Sequence, residues 1–485
     1  MSHPPSGSRP GRVTPRADDS SAAHAARRLE GEVGIGIREV GPAVEDRDAD
    51  IGWGRRSGAA VAMFVVAVAG VVVTARIGGG RIGLYGAATF VYLGVKLLLS
   101  VVYRPARDAS TPPELSAAVV VPVYNEDPGA FAACLDSLLA QTRLPDEVWV
   151  VDDGSRASDC LAVARAREPA FAGRGVALRL HRFADNRGKR HAQAHAFRRS
   201  EADVFVTVDS DTVLDRHAIA EGLKPFRQER VRAVTGRVRA LNVTANLLTR
   251  LIDLRYANAF LYERAAYSAV GSVLCCCGSL SFYRSEVIAP NLADFVHQRF
   301  LGIEVHYGDD RRLTNYALQQ GRVVFQATCV GYTAVPERFG HWLRQQLRWN
   351  KSFIRETWWC LTRFRPWSWP WILSALELAT WVTMSLALLV ALVVRSGTAG
   401  VAAVWFYGAN AAFLAYARSV RYVGDTGTPL RRQIAVFLLA PLYAVVHVFV
   451  LIPLRLVAFA TLRRPGWGTR SSVEVILDPG TATPA

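Results

Sequence analysis

The sequence predicts a doubly wound α/β domain inserted between membrane-spanning segments, and three observations lead there. Val-rich apolar runs bounded by turn residues alternate with helical patterns through 105–336. Long stretches almost free of charge flank that region on both sides. Acidic residues stand at the carboxyl ends of the apolar runs, where open α/β sheets hold their ligands.

The elements follow in chain order. Residues 1–54 are rich in Pro, Gly, Ser, Ala, Arg and Asp, the composition of a disordered tail. No apolar core lies in the first 30 or so residues, so this is not a signal peptide. Two transmembrane helices are expected in 55–104, from the apolar stretches 58–75 and 82–103, each long enough to cross roughly 30 Å of hydrocarbon. Strands are expected at 117–125, 147–155, 176–183, 203–211 and 233–242, with helices near 128–141, 156–167, 187–200 and 216–227. Continuous Val runs in the first, second and fourth strands predict burial on both faces and a mostly parallel sheet. Residues 337–366 read as an amphipathic helix at the cytosolic membrane face. In 367–462 the apolar regions 370–394, 400–417 and 433–462 predict further spans. Pro441 and Pro453 are expected to break the last into a re-entrant pair that returns the tail 463–485 to the cytosol.

The net charge of +16 suggests nucleic acid, but the arginines cluster beside the apolar segments, at Arg55, Arg56, Arg104, Arg107, Arg431 and Arg432, as the positive-inside rule predicts. The expected partners are membrane lipids and anionic substrates, with no nucleic acid and no obligate protein partner. The 7 cysteines, with Cys275, Cys276 and Cys277 in a row, do not form a disulfide framework and suit a reducing cytosol.

Several motifs carry chemistry. In DSDT (209–212), Asp209 and Asp211 can offer carboxylate oxygens to Mg²⁺ or Mn²⁺, with phosphate oxygens completing the shell. Tyr124, Glu126, Asp152 and Asp153 stand at neighbouring strand ends; Asp152 could accept from a nucleobase or ribose, while Asp153 or Ser155 could instead cap a helix. Lys189 in NRGKRHAQ (186–193) could hold a pyrophosphate or face solvent. Asp309 and Asp310 in GDDRRLTNY (308–316) open a helix, as caps or as a general base. In QQLRWNKS (345–352), Arg348 can clamp phosphate and Trp349 can platform a sugar; interfacial anchoring is the alternative. Trp358, Trp359, Trp367, Trp369 and Trp371 fit a membrane belt. Lys96, His447 and Arg455 lie within apolar segments, as functional groups or as snorkelling ones.

Taken in order, these motifs resemble the processive inverting membrane glycosyltransferases that make cellulose, chitin and hyaluronan. NRGKRHAQ, GDDRRLTNYAL, QQLRWNKSFIRE, VFVLIPLRL and WGTR (467–470) are similar in particular to the class I hyaluronan synthases. The resemblance covers 105–365 and implies a GT-A-like cytosolic glycosyltransferase domain in a multi-pass plasma-membrane protein. It implies Asp310 as base and Asp209 and Asp211 as metal ligands. It also implies UDP contacts from Tyr124, Glu126, Asp152, Lys189, Asp209 and Arg348, with Trp467 and Arg470 in a gating loop. The acceptor would meet Trp349, Gln345, Cys277, Arg284 and Asp309. The substrates implied are UDP-GlcNAc and UDP-GlcA, and the product a growing polysaccharide. CCCGSLSFYR (275–284) departs from the family's usual single cysteine followed by Gly-Pro or Gly-Ala, which bears on the acceptor pocket. Rival readings are a chitin-type polymerase using UDP-GlcNAc alone, and a transporter with a nucleotide-binding domain. The ordered acidic motifs oppose the second, as does the lack of internal repeats in the membrane half.

Overall fold

The computed structural model describes residues 84–107, 113–389, 414–423 and 429–464, with scattered helical positions between 58 and 72. The expected tail 1–54, most of 58–75 and 400–417, and the WGTR segment with Trp467 and Arg470 lie outside the described residues.

Eight strands form the main sheet: β1 (Ala117–Val123), β2 (Glu147–Asp152), β3 (Ala177–Arg182), β4 (Val204–Val208), β5 (Thr212–Leu214), β6 (Val231–Ala240), β7 (Leu280–Arg284) and β8 (Arg322–Thr333). Their order is β3-β2-β1-β4-β7-β6-β8-β5. The first four pair in parallel, as the Val-rich runs predict. β4 is buried at every position, and its one polar side chain, Thr207, donates its hydroxyl to the Ser281 carbonyl of β7.

The expectation of a mostly parallel sheet holds for four of its seven pairings, the fourth being β6 with β8. β7 runs antiparallel between β4 and β6, β5 runs antiparallel to β8, and the sheet is mixed. The reversal arises because the chain leaves β6 at its carboxyl end, makes a long helical excursion through 247–269 and re-enters the sheet at that same end. That direction decides the site. With Val208 opposite Leu280, residues 275–279 arrive at the same rim as the carboxyl end of β4.

Helices α1 (Leu84–Val102), α2 (Pro128–Leu139), α3 (Asp159–Gly173), α4 (Lys189–Phe197), α5 (Leu247–Asn258), α6 (Asp309–Gln320), α7 (Phe339–Arg363), α8 (Trp369–Leu389) and α9 (Leu430–Ala460) complete the frame. α2 starts where Asp127 accepts the Ala130 N–H and Pro128 takes the first turn. α5 starts on a reciprocal Asn246–Thr249 capping box. Phe131, Phe171, Phe205, Phe282, Phe295 and Phe325 are fully buried between sheet and helices, each worth roughly 1.5–3 kcal/mol relative to exposure.

Among the described residues only α9, with 31 residues, is long and apolar enough to cross a membrane by the combined test of length and hydropathy. It is not a uniform rod: a turn at 438–439 precedes Pro441, and a π-helical stretch, His447–Leu451, precedes Pro453. One face, with Tyr443, Val446, Val450 and Leu454, packs on Ile252, Val335 and Trp342 of the catalytic region. The other exposes Leu438, Leu442, Val445, Phe449 and Phe459.

Lys96 of α1 is not snorkelling. Its ammonium lies 3.4 Å from Glu377 of α8, between the rings of Tyr92 and Tyr267. Of the expected tryptophan belt, Trp358, Trp367 and Trp369 are exposed. Trp359 instead packs edge-on against Tyr316 and Phe364, and Trp371 donates to the Leu361 carbonyl at 3.2 Å.

Candidate active site

Three parallel strand ends, the loop before β7 and the start of α6 converge on one rim. At the end of β2, buried Asp152 accepts the Ser155 N–H at 2.8 Å and faces the Arg182 guanidinium at 3.5 Å. Asp153 is not a helix cap. Its carboxylate takes the N–H groups of Arg187 and Gly188 at 2.8 Å and the Asn186 amide at 3.0 Å, which pins the loop that delivers Lys189. Gly154 permits this approach: it sits at φ 73°, and a Cβ there would meet the Asp185 carbonyl carbon at 2.6 Å. Burial pushes the Asp153 carboxyl up to about 6 against the lowering pull of those N–H groups.

Lys189, at the first position of α4, reaches the rim of β4. Its ammonium is 2.5 Å from Asp209 Oδ1 and 3.5 Å from Asp309 Oδ2. Burial works against the charge, but the carboxylates of Asp209 and Asp309 outweigh it and hold the lysine protonated. Ser279 Oγ donates to the other Asp209 oxygen at 2.8 Å, and Thr333 Oγ1 donates to Asp211 at 3.1 Å. Glu126 accepts from Ser210 Oγ at 2.8 Å, tying the end of β1 to the aspartate motif, while Tyr124 is half-buried beside it.

Asp309 and Asp310 open α6 at its positive end. Gly308 before them adopts φ 82°, and a Cβ there would lie 2.1 Å from Ser352 Oγ, so α6 starts in direct contact with α7. Burial and the neighbouring Asp309 raise the Asp310 pKa, opposed by Arg311. One Asp310 oxygen accepts the Arg311 N–H at 2.8 Å, and the Cys275 thiol approaches the other at 3.6 Å. A carboxylate raised in this way is a stronger proton acceptor than an exposed one.

α7 carries Gln345, Arg348 and Trp349. The Arg348 guanidinium is close enough to Tyr307, the residue before Gly308, to oppose the upward push of burial on that hydroxyl. Gln345 Oε1 is shielded and has no hydrogen-bond partner among the described residues, and Trp349 is 47% exposed. A shielded acceptor atom beside an open aromatic face suits a hydroxylated ring.

Cys277 is at the rim, its N–H given to Thr235 Oγ1 at 3.0 Å. Arg284 is not at the rim. It ends β7 opposite Val204, at the far end of β4, and donates to the carbonyls of Val231 and Phe226. The acceptor role expected for it is corrected: its charge closes the bottom of the sheet. The sequence reading also missed Ser279, and of the roles it left open for Asp153 the cap is not the one observed.

Asp209 and Asp211 present oxygen donors only, which fits a hard divalent cation. No group of three or more His, Cys, Asp or Glu among the described residues could hold such an ion alone, so phosphate oxygens would have to complete its shell.

The family model "Glycosyltransferase like family 2" matches residues 112–352. A hyaluronan synthase of Streptococcus pyogenes is 41% identical, over 82% of this chain and 93% of its own length. An N-acetylglucosaminyltransferase of Mesorhizobium japonicum is 33% identical, over 83% of this chain and 96% of its own. Among solved structures, a mannosyltransferase of Pyrobaculum calidifontis in complex with GDP-Man and Mn²⁺ superposes with a TM-score of 0.51. At 21% identity, over 80% of this chain and 99% of that one, it shares the GT-A-like fold. The rim of aspartates, the basic α4 and the similarity over most of the chain converge on one conclusion: the chain belongs to the class I hyaluronan synthase family and is a glycosyltransferase.

Proposed function

We propose that the protein polymerises hyaluronan, transferring sugars in alternation from UDP-GlcNAc and UDP-GlcA with inversion at the anomeric carbon. The observation that carries this reading is the placement of a carboxyl of raised pKa, Asp310, on the same rim as the Lys189–Asp209 pair. In this mechanism Asp310 takes the proton from the acceptor hydroxyl as that oxygen attacks. Asp152 and Tyr124 bound the nucleoside, Lys189 and Arg348 face the diphosphate, and Glu126 braces the rim. Asp209 and Asp211 would hold Mg²⁺ or Mn²⁺, which neutralises charge on the departing UDP. Trp349, Gln345, Cys277 and Asp309 flank the acceptor.

The test is the purified protein with Mg²⁺ or Mn²⁺ and each UDP-sugar alone, then both. Polymer only with both sugars, digestible by hyaluronidase and lost on chelation, is expected. Polymer from UDP-GlcNAc alone would establish the chitin-type reading, and UDP-sugar binding without transfer the transporter reading.

UDP-sugars are cytosolic, so the catalytic region faces the cytosol, the N-terminus with it, and the polymer leaves through the membrane segments. One face of α9 packs on the catalytic region and the other is exposed and apolar, which, with its breaks before Pro441 and Pro453, supports a re-entrant path rather than a single crossing. The Arg464 carbonyl, just past the end of α9, accepts from Lys351 of α7 at 3.4 Å, on the catalytic side, which supports a cytosolic tail whose Trp467 and Arg470 close over UDP. A reporter fused after residue 485 is expected to read as cytosolic; an extracellular reading would overturn this topology.

A further inference from the structure

Glu356 lies in α7, two turns beyond Trp349, and is 2% exposed. Nothing in the chemistry above uses it, yet its carboxylate is the most heavily engaged acid near the rim. Oε1 accepts from Gln298 Nε2 at 2.7 Å and from Arg355 Nε at 3.0 Å. Oε2 accepts from Asn315 Nδ2 at 3.1 Å and lies 3.0 Å from Arg312 Nε. Arg312 and Asn315 both belong to α6, the helix that Asp309 and Asp310 begin.

The second hold is on the turn before that helix. Arg355, itself oriented by Glu356, donates through its terminal nitrogen to the Tyr307 carbonyl at 2.6 Å. Tyr307 immediately precedes Gly308, where the backbone meets α7 too closely for any side chain. One carboxylate thus grips α6 directly through its second turn and indirectly through its entry. Burial alone would favour the neutral acid, but the Arg312 and Arg355 charges outweigh it and keep Glu356 ionised.

We infer that Glu356 is a positioning residue for transfer: by holding Arg312, Asn315 and Arg355 it fixes the start of α6, and so Asp310, in register with the helix that carries Gln345, Arg348 and Trp349. This rests on the assignment of Asp310 as base. Buried, hydrogen-bonded ion pairs contribute little net stability over apolar packing but impose a unique geometry, which is what a base and an acceptor platform on separate helices require.

Glu356→Gln tests it, because the amide keeps the shape and removes the charge. In detergent-purified protein we expect UDP affinity within about twofold of wild type, UDP-sugar KM within about threefold, and kcat lower by roughly 10- to 100-fold, the loss that a misplacement near 1 Å brings. Glu356→Asp, which keeps the charge on a shorter arm, should recover part of kcat. Should Glu356→Gln fail to bind UDP, Arg355→Lys decides, since it preserves charge but breaks the bridge to Tyr307; about a tenfold loss in kcat with UDP affinity retained is expected. Variants that bind UDP with kcat within twofold of wild type overturn the inference, as does a kcat loss matched by an equal rise in KM. Asp310→Asn is run in parallel: if it still polymerises, the assignment of the base fails, and that failure is read independently of Glu356.

Discussion

Asp310→Asn is expected to lose polymer synthesis by at least about 10²- to 10⁴-fold while binding UDP within about twofold of wild type. Asparagine keeps the acceptor that meets the Arg311 N–H at 2.8 Å, so the first turn of α6 survives. It also leaves untouched the Lys189 ion pairs with Asp209 and Asp309, on which the diphosphate side of the rim depends. What it removes is the proton acceptor. Radiolabelled polymer yield and calorimetric UDP titration measure the two halves. A variant that makes polymer within tenfold of wild type moves the base elsewhere, and Asp309 is then the first place to look. The wild type should lose rate as pH falls through the Asp310 pKa, because the protonated acid cannot accept the proton. Since burial and Asp309 raise that pKa, the fall should begin above the range of exposed carboxylates.

Trp349→Ala should separate function from folding. The ring is 47% exposed in the interior of a 25-residue helix, so its removal opens no cavity, and alanine is the better helix former. Membrane insertion and UDP binding should match wild type. Polymer synthesis should fall about 10- to 100-fold, the equivalent of one aromatic stacking contact of roughly 1.4 to 2.8 kcal/mol. Trp358→Ala is the control. That ring is 61% exposed further along the same helix, and its loss should leave synthesis near wild type. Equal losses in the two variants would return Trp349 to the membrane anchors.

The parts of this molecule visible in its sequence are those where local pattern and final burial coincide. β1, β2 and β4 are Val runs because both their faces are covered, and the acidic residues at or just beyond their carboxyl ends mark the rim where the covering stops. β7 and β8 escaped notice because their hydrophobic patterns are broken by polar residues with hydrogen-bond partners of their own. Ser281 donates to the Cys277 carbonyl, and Gln326 and Thr328 of β8 bond Glu221. Missing β7 hid Ser279, which reaches Asp209 only because the strand runs backwards. The same gap made Arg284 look like an acceptor contact: it is near Cys277 in sequence but one strand length away in space. Glu356 was illegible for a different reason, since all but one of its partners are 41 or more positions distant, beyond any local pattern.

The backward strand also sets an order of assembly. β1 to β4 are contiguous in sequence, span 117–208 and pair with one another in parallel, so this half of the rim has its scaffold as soon as that stretch leaves the ribosome. β7 can dock on β4 only once residue 284 is made, and α6 and α7 can lock on each other only once Glu356 is made. During synthesis the unpaired edge of β4 is therefore exposed until β7 arrives. A nascent chain stalled in that interval would present a half-built rim and an open hydrophobic edge, the point at which this protein is most exposed to misassembly and proteolysis.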